Sequence, residues 1–249
     1  MSDYPFPLHY PKSEAEIAAD RYERWDPTVL RQIVLHQCDA LHGGYPGQAV
    51  LDYVSAWLPA AGSLRLVELG CGVGRLVAEL AKMHPGWTCE GLDYSTALLQ
   101  RAHYAYTRGD NLLVDAGRFG WGQVETTGHR IPNITWGLAR AEQLPYADFS
   151  QEVFVSSFLL DRLEHPMAAL SEWWRCLRRG GRVVVVTPLN FYLTKQWKSY
   201  YPPVKLMDPI LAQGWQISDW REGITVSEPL DGHGNAVHWR CLGFCLEKR

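Results

Sequence analysis

The sequence predicts an α/β protein, a doubly wound and mostly parallel sheet of seven strands preceded by an arm of short helices. From residue 64 onward, apolar strand-like segments alternate with helical periods, the pattern of a parallel sheet covered on both faces. A glycine-rich stretch, "RLVELGCGVGRLVAEL" over 65–80, joins the first strand to the first of these helices. Before residue 60 the periods are all helical.

The chain divides into an N-terminal helical arm, 1–60, and a main domain, 61–249. In the arm, "SEAEIAADRYERW" opens with Ser13 and has Glu16 three residues later, a capping box. "DPTVLRQIVLHQCDALHGG" opens with Asp26 as cap and Pro27 in the first turn and stops at Gly43-Gly44. A third period, "PGQAVLDYVSAWLP", closes at Pro59. Helices of this kind pack on the main domain or form a lid over it.

In the main domain, strands are predicted over 64–69, 88–93, 134–139, 152–157 and 182–188, with helices over 74–84, 95–107 and 165–181. A helical stretch near 203–213 precedes two longer segments, "GWQISDWREGITV" and "NAVHWRCLGFCLEK", joined by the turn-rich "SEPLDGHGN". That pair reads as a hairpin, so one of its strands runs antiparallel to the sheet. Residues 108–133 form an unusually long link, of the kind that is functional or mobile.

With 249 residues, 47% hydrophobic and 20% charged, the chain has enough apolar surface for a sizeable core. A formal net charge of −3 lacks the basic excess of a nucleic-acid or anionic-membrane partner. The N-terminus "MSDYPFPLHYPKSEAE" lacks signal-peptide character and no apolar run spans a bilayer, which places the chain in the cytoplasm. Six cysteines lack metal-ligand spacing, so neither a zinc site nor a disulfide framework is expected. Cys241 and Cys245 share one face of the last strand as core residues.

The glycine-rich turn separates several ligand classes. A dinucleotide fingerprint needs G-x-G-x-x-G, but after Gly70 and Gly72 the third glycine, Gly74, arrives one position early and Arg75 stands in its place. No Gly-Lys-Ser/Thr follows, which removes a phosphate-binding Walker loop. What remains is E-x-G-x-G-x-G, Glu68 to Gly74. In this the sequence resembles the class I S-adenosylmethionine (SAM) dependent methyltransferases, of the methyltransferase type 11 kind, over roughly residues 64–190. A carboxylate before the glycines suits the cationic amino group of SAM, and the glycines let the backbone approach it.

The resemblance implies a cofactor site, with SAM as donor and S-adenosylhomocysteine as product. Glu68 would face the amino group. Gly70, Cys71, Gly72 and Gly74 would form the turn against it, Cys71 as a spacer with its side chain turned away. Asp93, at the end of the second strand, would accept the ribose hydroxyls, and Tyr94 would stack beside adenine. "GLARAEQLPYADFSQEVFVSSFLLDRLEHP" is similar to the family's next motif. By carry-over, the Ala141 backbone and the Glu142 side chain lie along the adenine edge and Ser156 lines the methionine end. Arg140 stands where the family usually has an acid.

The acceptor is read as a small molecule. The Asn/Asp-Pro-Pro-Tyr/Phe tetrad of nucleobase and amide methyltransferases is replaced by "SSFL". "SSFLLDRLEH" and "VVVVTPLNF" are somewhat similar to carnosine and other histidine-type N-methyltransferases. That likeness implies Asp161 as the residue that holds or deprotonates an amine or imidazole nitrogen, within aromatic walls for which Tyr22, Trp25, Tyr192, Trp197 and Tyr200 are candidates. Methylation of a phenol or quinone oxygen or carbon, and a SAM-binding module without catalysis, are the alternatives. His233, in "DGHGN", reads as a solvated loop residue. The oligomeric state is left open.

Overall fold

The computed structural model describes residues 4–23, 27–60 and 62–249. In the arm, α1 (Glu14–Ala19) is capped by Ser13 with the reciprocal Glu16 contact. Helix α2 (Pro27–Gln37) follows, and its proposed cap, Asp26, lies outside the described residues. The period then breaks at Cys38 into a short α3 (Asp39–His42), which ends on a left-handed Gly43, and α4 (Gln48–Ser55) completes the arm.

The main domain runs β1 (Arg65–Leu69), α5 (Arg75–Met83), β2 (Thr88–Asp93), α6 (Thr96–Ala102), β3 (Leu112–Asp115), β4 (Gln123–Thr126), β5 (Ile134–Leu138), β6 (Gln151–Ser157), α7 (Pro166–Cys176), β7 (Leu177–Thr187), α8 (Thr194–Tyr200), α9 (Met207–Ala212), β8 (Gln216–Pro229) and β9 (Ala236–Glu247). The seven-stranded sheet has the order β5-β2-β1-β6-β7-β9-β8. Its pairs are parallel except that β9 runs antiparallel to both β7 and β8. This is the Rossmann-like fold of SAM methyltransferases.

Two apolar layers cover the sheet. On one face α4, α5 and α6 bury Val54, Val77, Leu80 and Leu99 with Cys241 and Cys245 of β9; on the other, α7 and α9 bury Leu170, Trp173 and Ile210. Helix α4 thus belongs to the main core, although it lies before residue 60. All six cysteines are buried free thiols. The strand order reverses between β1 and β6, which opens a crevice at the carboxyl ends of the strands.

Two segments differ from the sequence expectation. Residues 108–133 contain a small two-stranded sheet, with β3 and β4 paired antiparallel. Its Val114 and Ala116 pack on Val29 and Ile33 of α2, so the long link supports the arm. The helix expected to reach residue 181 stops at Cys176, because the C-terminus competes for its continuation. Gly180 N–H donates to Lys248 O (2.7 Å), Lys248 N–H donates to Gly181 O (2.9 Å), and the Lys248 ammonium caps Leu177 O (2.7 Å).

Candidate functional site

Strand β1 ends at the turn that carries the site. Gly70 and Cys71 N–H both donate to Leu92 O (2.8 and 2.9 Å), which ties the turn to β2. Gly70, Gly72 and Gly74 have φ of 72°, 55° and 80°, in the left-handed region. A Cβ on Gly74 would lie 2.4 Å from the Trp136 indole, and one on Gly91 2.6 Å from the same ring. A β5 tryptophan thus crosses beneath the turn and leaves no room for side chains there. A Cβ on Gly72 would meet nothing within 4 Å; its backbone faces a cavity of about 830 Å³.

This cavity lies at the crevice. Glu68, Gly70, Cys71, Gly72, Asp93, Tyr94, Ala141 and Glu142, the residues expected to hold the cofactor, all line it. Gly74 does not line it and instead begins α5 as its N-cap. The Cys71 thiol points to the core beside Gly91. Ser156 is fully buried and absent from the wall, its hydroxyl without a partner; the next residue, Ser157, faces the cavity. Strand alternation decides this, and an error of one position selects the wrong face.

Glu68 is 2% exposed; it accepts the Val77 N–H (2.9 Å) and faces the Ser157 hydroxyl (3.4 Å). Burial pushes its carboxyl up to about 8. Asp93 accepts Gly72 N–H (2.7 Å) on one oxygen and Ser95 N–H (2.9 Å) on the other. Burial raises its pKa against those bonds. A carboxylate offers about four lone-pair directions, so acceptor capacity remains toward the cavity. A buried acid for an amino group, a carboxylate for hydroxyls and an open Gly72 backbone fit a SAM molecule.

The arm closes the cavity at Tyr94 and Arg140. The Tyr94 hydroxyl donates to Glu16 (2.6 Å), and Arg140 donates to the Tyr94 oxygen (2.6 Å) and pairs with Glu16. The Tyr94 bond, with those from Ser13, lowers the Glu16 carboxyl to about 2. Lys12 lies 4.0 Å over the Tyr94 ring and pairs with Asp20 and Glu23. Arg140, which departs from the family pattern, therefore anchors the arm.

The other half of the cavity was not legible in the sequence. Phe158, at the unusual φ of 54°, meets Trp239 edge-on at 6.2 Å between ring centroids. Arg31 of α2 reaches across to Glu228 of β8 (2.7 Å), and Glu228 also accepts the Trp239 indole N–H (2.8 Å). Val50, His36 and Tyr45 complete this wall. Burial, with the Arg75 charge second, depresses His36 to about 4 and keeps its ring neutral. Tyr22 lines the cavity, whereas Trp197 and Tyr200 pack on Phe191 outside it, and Trp25 lies outside the described residues.

Asp161 does not reach the cavity. It is fully buried, accepting the Thr187 hydroxyl (2.9 Å) and the Asn190 N–H (3.1 Å). Its carboxylate fastens the end of β7 to the 3-10 turn Leu160–Arg162. His233 lies in the exposed loop between β8 and β9 and does not line the cavity. Among the described residues no cluster of three or more His, Cys, Asp or Glu could hold a metal, and no helix is long and apolar enough to cross a membrane.

Residues 67–185 match the family model described as a methyltransferase domain. Together with the fold, that match supports a class I SAM-dependent methyltransferase. The chain is similar to malonyl-[acyl-carrier protein] O-methyltransferase of Hahella chejuensis, 27% identical over 53% of this chain and 40% of that protein. It is also similar to trans-aconitate 2-methyltransferase of Deinococcus radiodurans (26%, 55% and 43%). A third relative is a ubiquinone/menaquinone biosynthesis C-methyltransferase of Desulfotalea psychrophila (26%, 51% and 41%). Each alignment thus spans less than half of the relative. Among solved structures, the [4+2]-cyclase SpnF superposes with a TM-score of 0.59 at 16% identity, covering 88% of this chain and 93% of that one. A SAM dependent methyltransferase from Aquifex aeolicus gives 0.54 at 13% identity, covering 90% and 98%.

Proposed function

We propose that the protein transfers the methyl group of SAM to an oxygen or carbon atom of a small molecule held between α2, β6 and the β8–β9 hairpin. The observation that carries this is one cavity with two unlike halves. Glu68, Asp93 and the Gly72 backbone line the first, and Phe158, Trp239, Arg31 and Glu228 the second. SAM supplies an electrophilic methyl on a sulfonium. The chain supplies alignment and exclusion of water: Glu68 holds the ammonium, Asp93 the ribose, and the arm, fastened through Glu16 and Arg140, covers the adenine end. An oxygen or carbon acceptor is favoured over an amine because Asp161 faces away from the cavity and Glu228 is paired with Arg31. The relatives named as O- and C-methyltransferases agree.

Calorimetric titration with SAM and S-adenosylhomocysteine tests the cofactor; no binding of either at about millimolar concentration, the weak end of specific affinities, would refute the proposal. Because the same fold serves a [4+2]-cyclase, transfer of label from methyl-labelled SAM to phenol, quinone and carboxylate acceptors tests the reaction. Asp161→Asn is expected to leave SAM affinity unchanged and to lower stability by about 1–3 kcal/mol, the cost of disturbing a buried charged hydrogen-bond pair. Urea denaturation reads the loss, and unaltered stability with a collapse in turnover would restore Asp161 to the reaction.

A further inference from the structure

The positive charge on the cavity wall is unevenly neutralised. Arg31 is paired with Glu228, Arg75 with Asp39 (2.7 Å) and Glu79 (2.9 Å), and Arg140 with Glu16. Arg21 and Arg162 differ. Arg21 donates to the Tyr192 hydroxyl (2.6 Å) and the Tyr22 hydroxyl (3.2 Å), both neutral. Among the described residues no carboxylate lies within ion-pair distance of it; its neighbours Asp20 and Glu23 are both held by Lys12, at 2.7 and 2.6 Å. The Arg162 guanidinium stands 4.7 Å over the ring of that same Tyr192. Its acidic contact is the buried Asp161 at 3.6 Å, whose oxygens already accept from Thr187 and Asn190.

Two guanidinium groups from different elements, the arm and the turn after β6, therefore converge on one phenol. Arg21, Tyr22 and Arg162 line the cavity, and Tyr192, 58% exposed, stands beside them, bonded to Arg21 and under the Arg162 guanidinium. Among the described residues Asp161, 3.6 Å from Arg162, is the one carboxylate paired with either group, and an oxyanion between the two guanidinium groups would accept charge-assisted, bidentate hydrogen bonds. Of the acids on the wall, Asp20 pairs with Lys12 and Glu228 with Arg31; Glu68, Asp93 and Glu142 lie on the cofactor side, and Glu164 stands exposed two residues from Arg162.

We propose that the acceptor carries an oxyanionic group, a carboxylate or a phosphate monoester, held by Arg21 and Arg162 with the hydroxyls of Tyr22 and Tyr192. This rests on the methyl-transfer reading and adds the class of acceptor to it.

The test uses the whole chain saturated with S-adenosylhomocysteine, whose own affinity is measured first. Three pairs are then titrated: 4-hydroxybenzoate and 4-hydroxybenzamide, trans-aconitate and its trimethyl ester, phenyl phosphate and phenol. At least one anion should bind about tenfold or more tighter than its neutral partner. The carboxylate and phosphate arms show which oxyanion is preferred. In Arg21→Gln with Arg162→Gln that preference should fall to about threefold or less, with S-adenosylhomocysteine affinity unchanged; Arg162→Lys should retain part of it. Arg21→Gln alone, at an exposed position, gives a readout if the double variant does not fold. Anions binding no better than their neutral partners, or a preference that survives both substitutions, would overturn the proposal. Failure to bind S-adenosylhomocysteine would overturn the methyl-transfer reading instead.

Discussion

Asp93→Asn is expected to weaken SAM binding by about a hundredfold or more while leaving the fold in place. Two carboxylate directions are occupied by Gly72 and Ser95 N–H, and the rest would accept the two ribose hydroxyls. Hydrogen bonds to a charged group contribute about 1.5–3 kcal/mol each, so losing two corresponds to about 3–6 kcal/mol, or two to four powers of ten in affinity. Asparagine keeps the volume but replaces one acceptor with a donor, which either opposes a backbone N–H or spoils the pair offered to the ribose. Calorimetry with SAM reads the effect, and circular dichroism checks the fold. An affinity within about threefold of the parent would remove Asp93 from the cofactor site.

SAM affinity is further expected to rise with pH toward about 8, a rise that Glu68→Gln removes. Burial raises the Glu68 carboxyl from 4.5 to about 8, so without cofactor the neutral acid is favoured at pH 7. Its contribution to stability has the sign of a raised acid: fully present below about 4.5 and lost as pH rises through about 8. A bound ammonium reverses the preference, since it favours the carboxylate. Binding at pH 7 should therefore release a proton, seen as a calorimetric enthalpy that varies with the ionisation enthalpy of the buffer. Below the pKa the gain approaches about tenfold per pH unit. The amino group of SAM titrates near 8 as well, and comparison with Glu68→Gln isolates the protein's share. Identical pH profiles for the two proteins would show that Glu68 does not face the cofactor's charge.

The glycine turn and the two acids beside it were readable because their parts are local. Glycines at 70, 72 and 74 specify a strand-to-helix turn within a few residues, and Asp93 follows from the end of the next apolar strand. Sequence expectation and structure part where one position or one turn decides the direction of a side chain. Ser156 and Ser157 are both consistent with the strand pattern, yet only Ser157 faces the cavity. Asp161 lies in a polar-looking segment, but the turn after β6 folds it under Thr187.

The acceptor half had no local signature. Arg31 and Glu228, Arg21 and Tyr192, and Phe158 and Trp239 are each far apart in the chain. Arg140, a departure from the family pattern, acquires its meaning from Glu16 of the arm.

The amino-acid sequence by itself determined the α/β class, the strand and helix alternation and the glycine turn with its two acids. These depend on hydrophobic period and on backbone conformations that glycine alone adopts readily. Only the tertiary structure decided which serine faces the cavity, that Asp161 is buried, and that α2 and the β8–β9 hairpin wall the second half of the cavity. Those contacts join segments distant in sequence, and their geometry is set by how the layers pack.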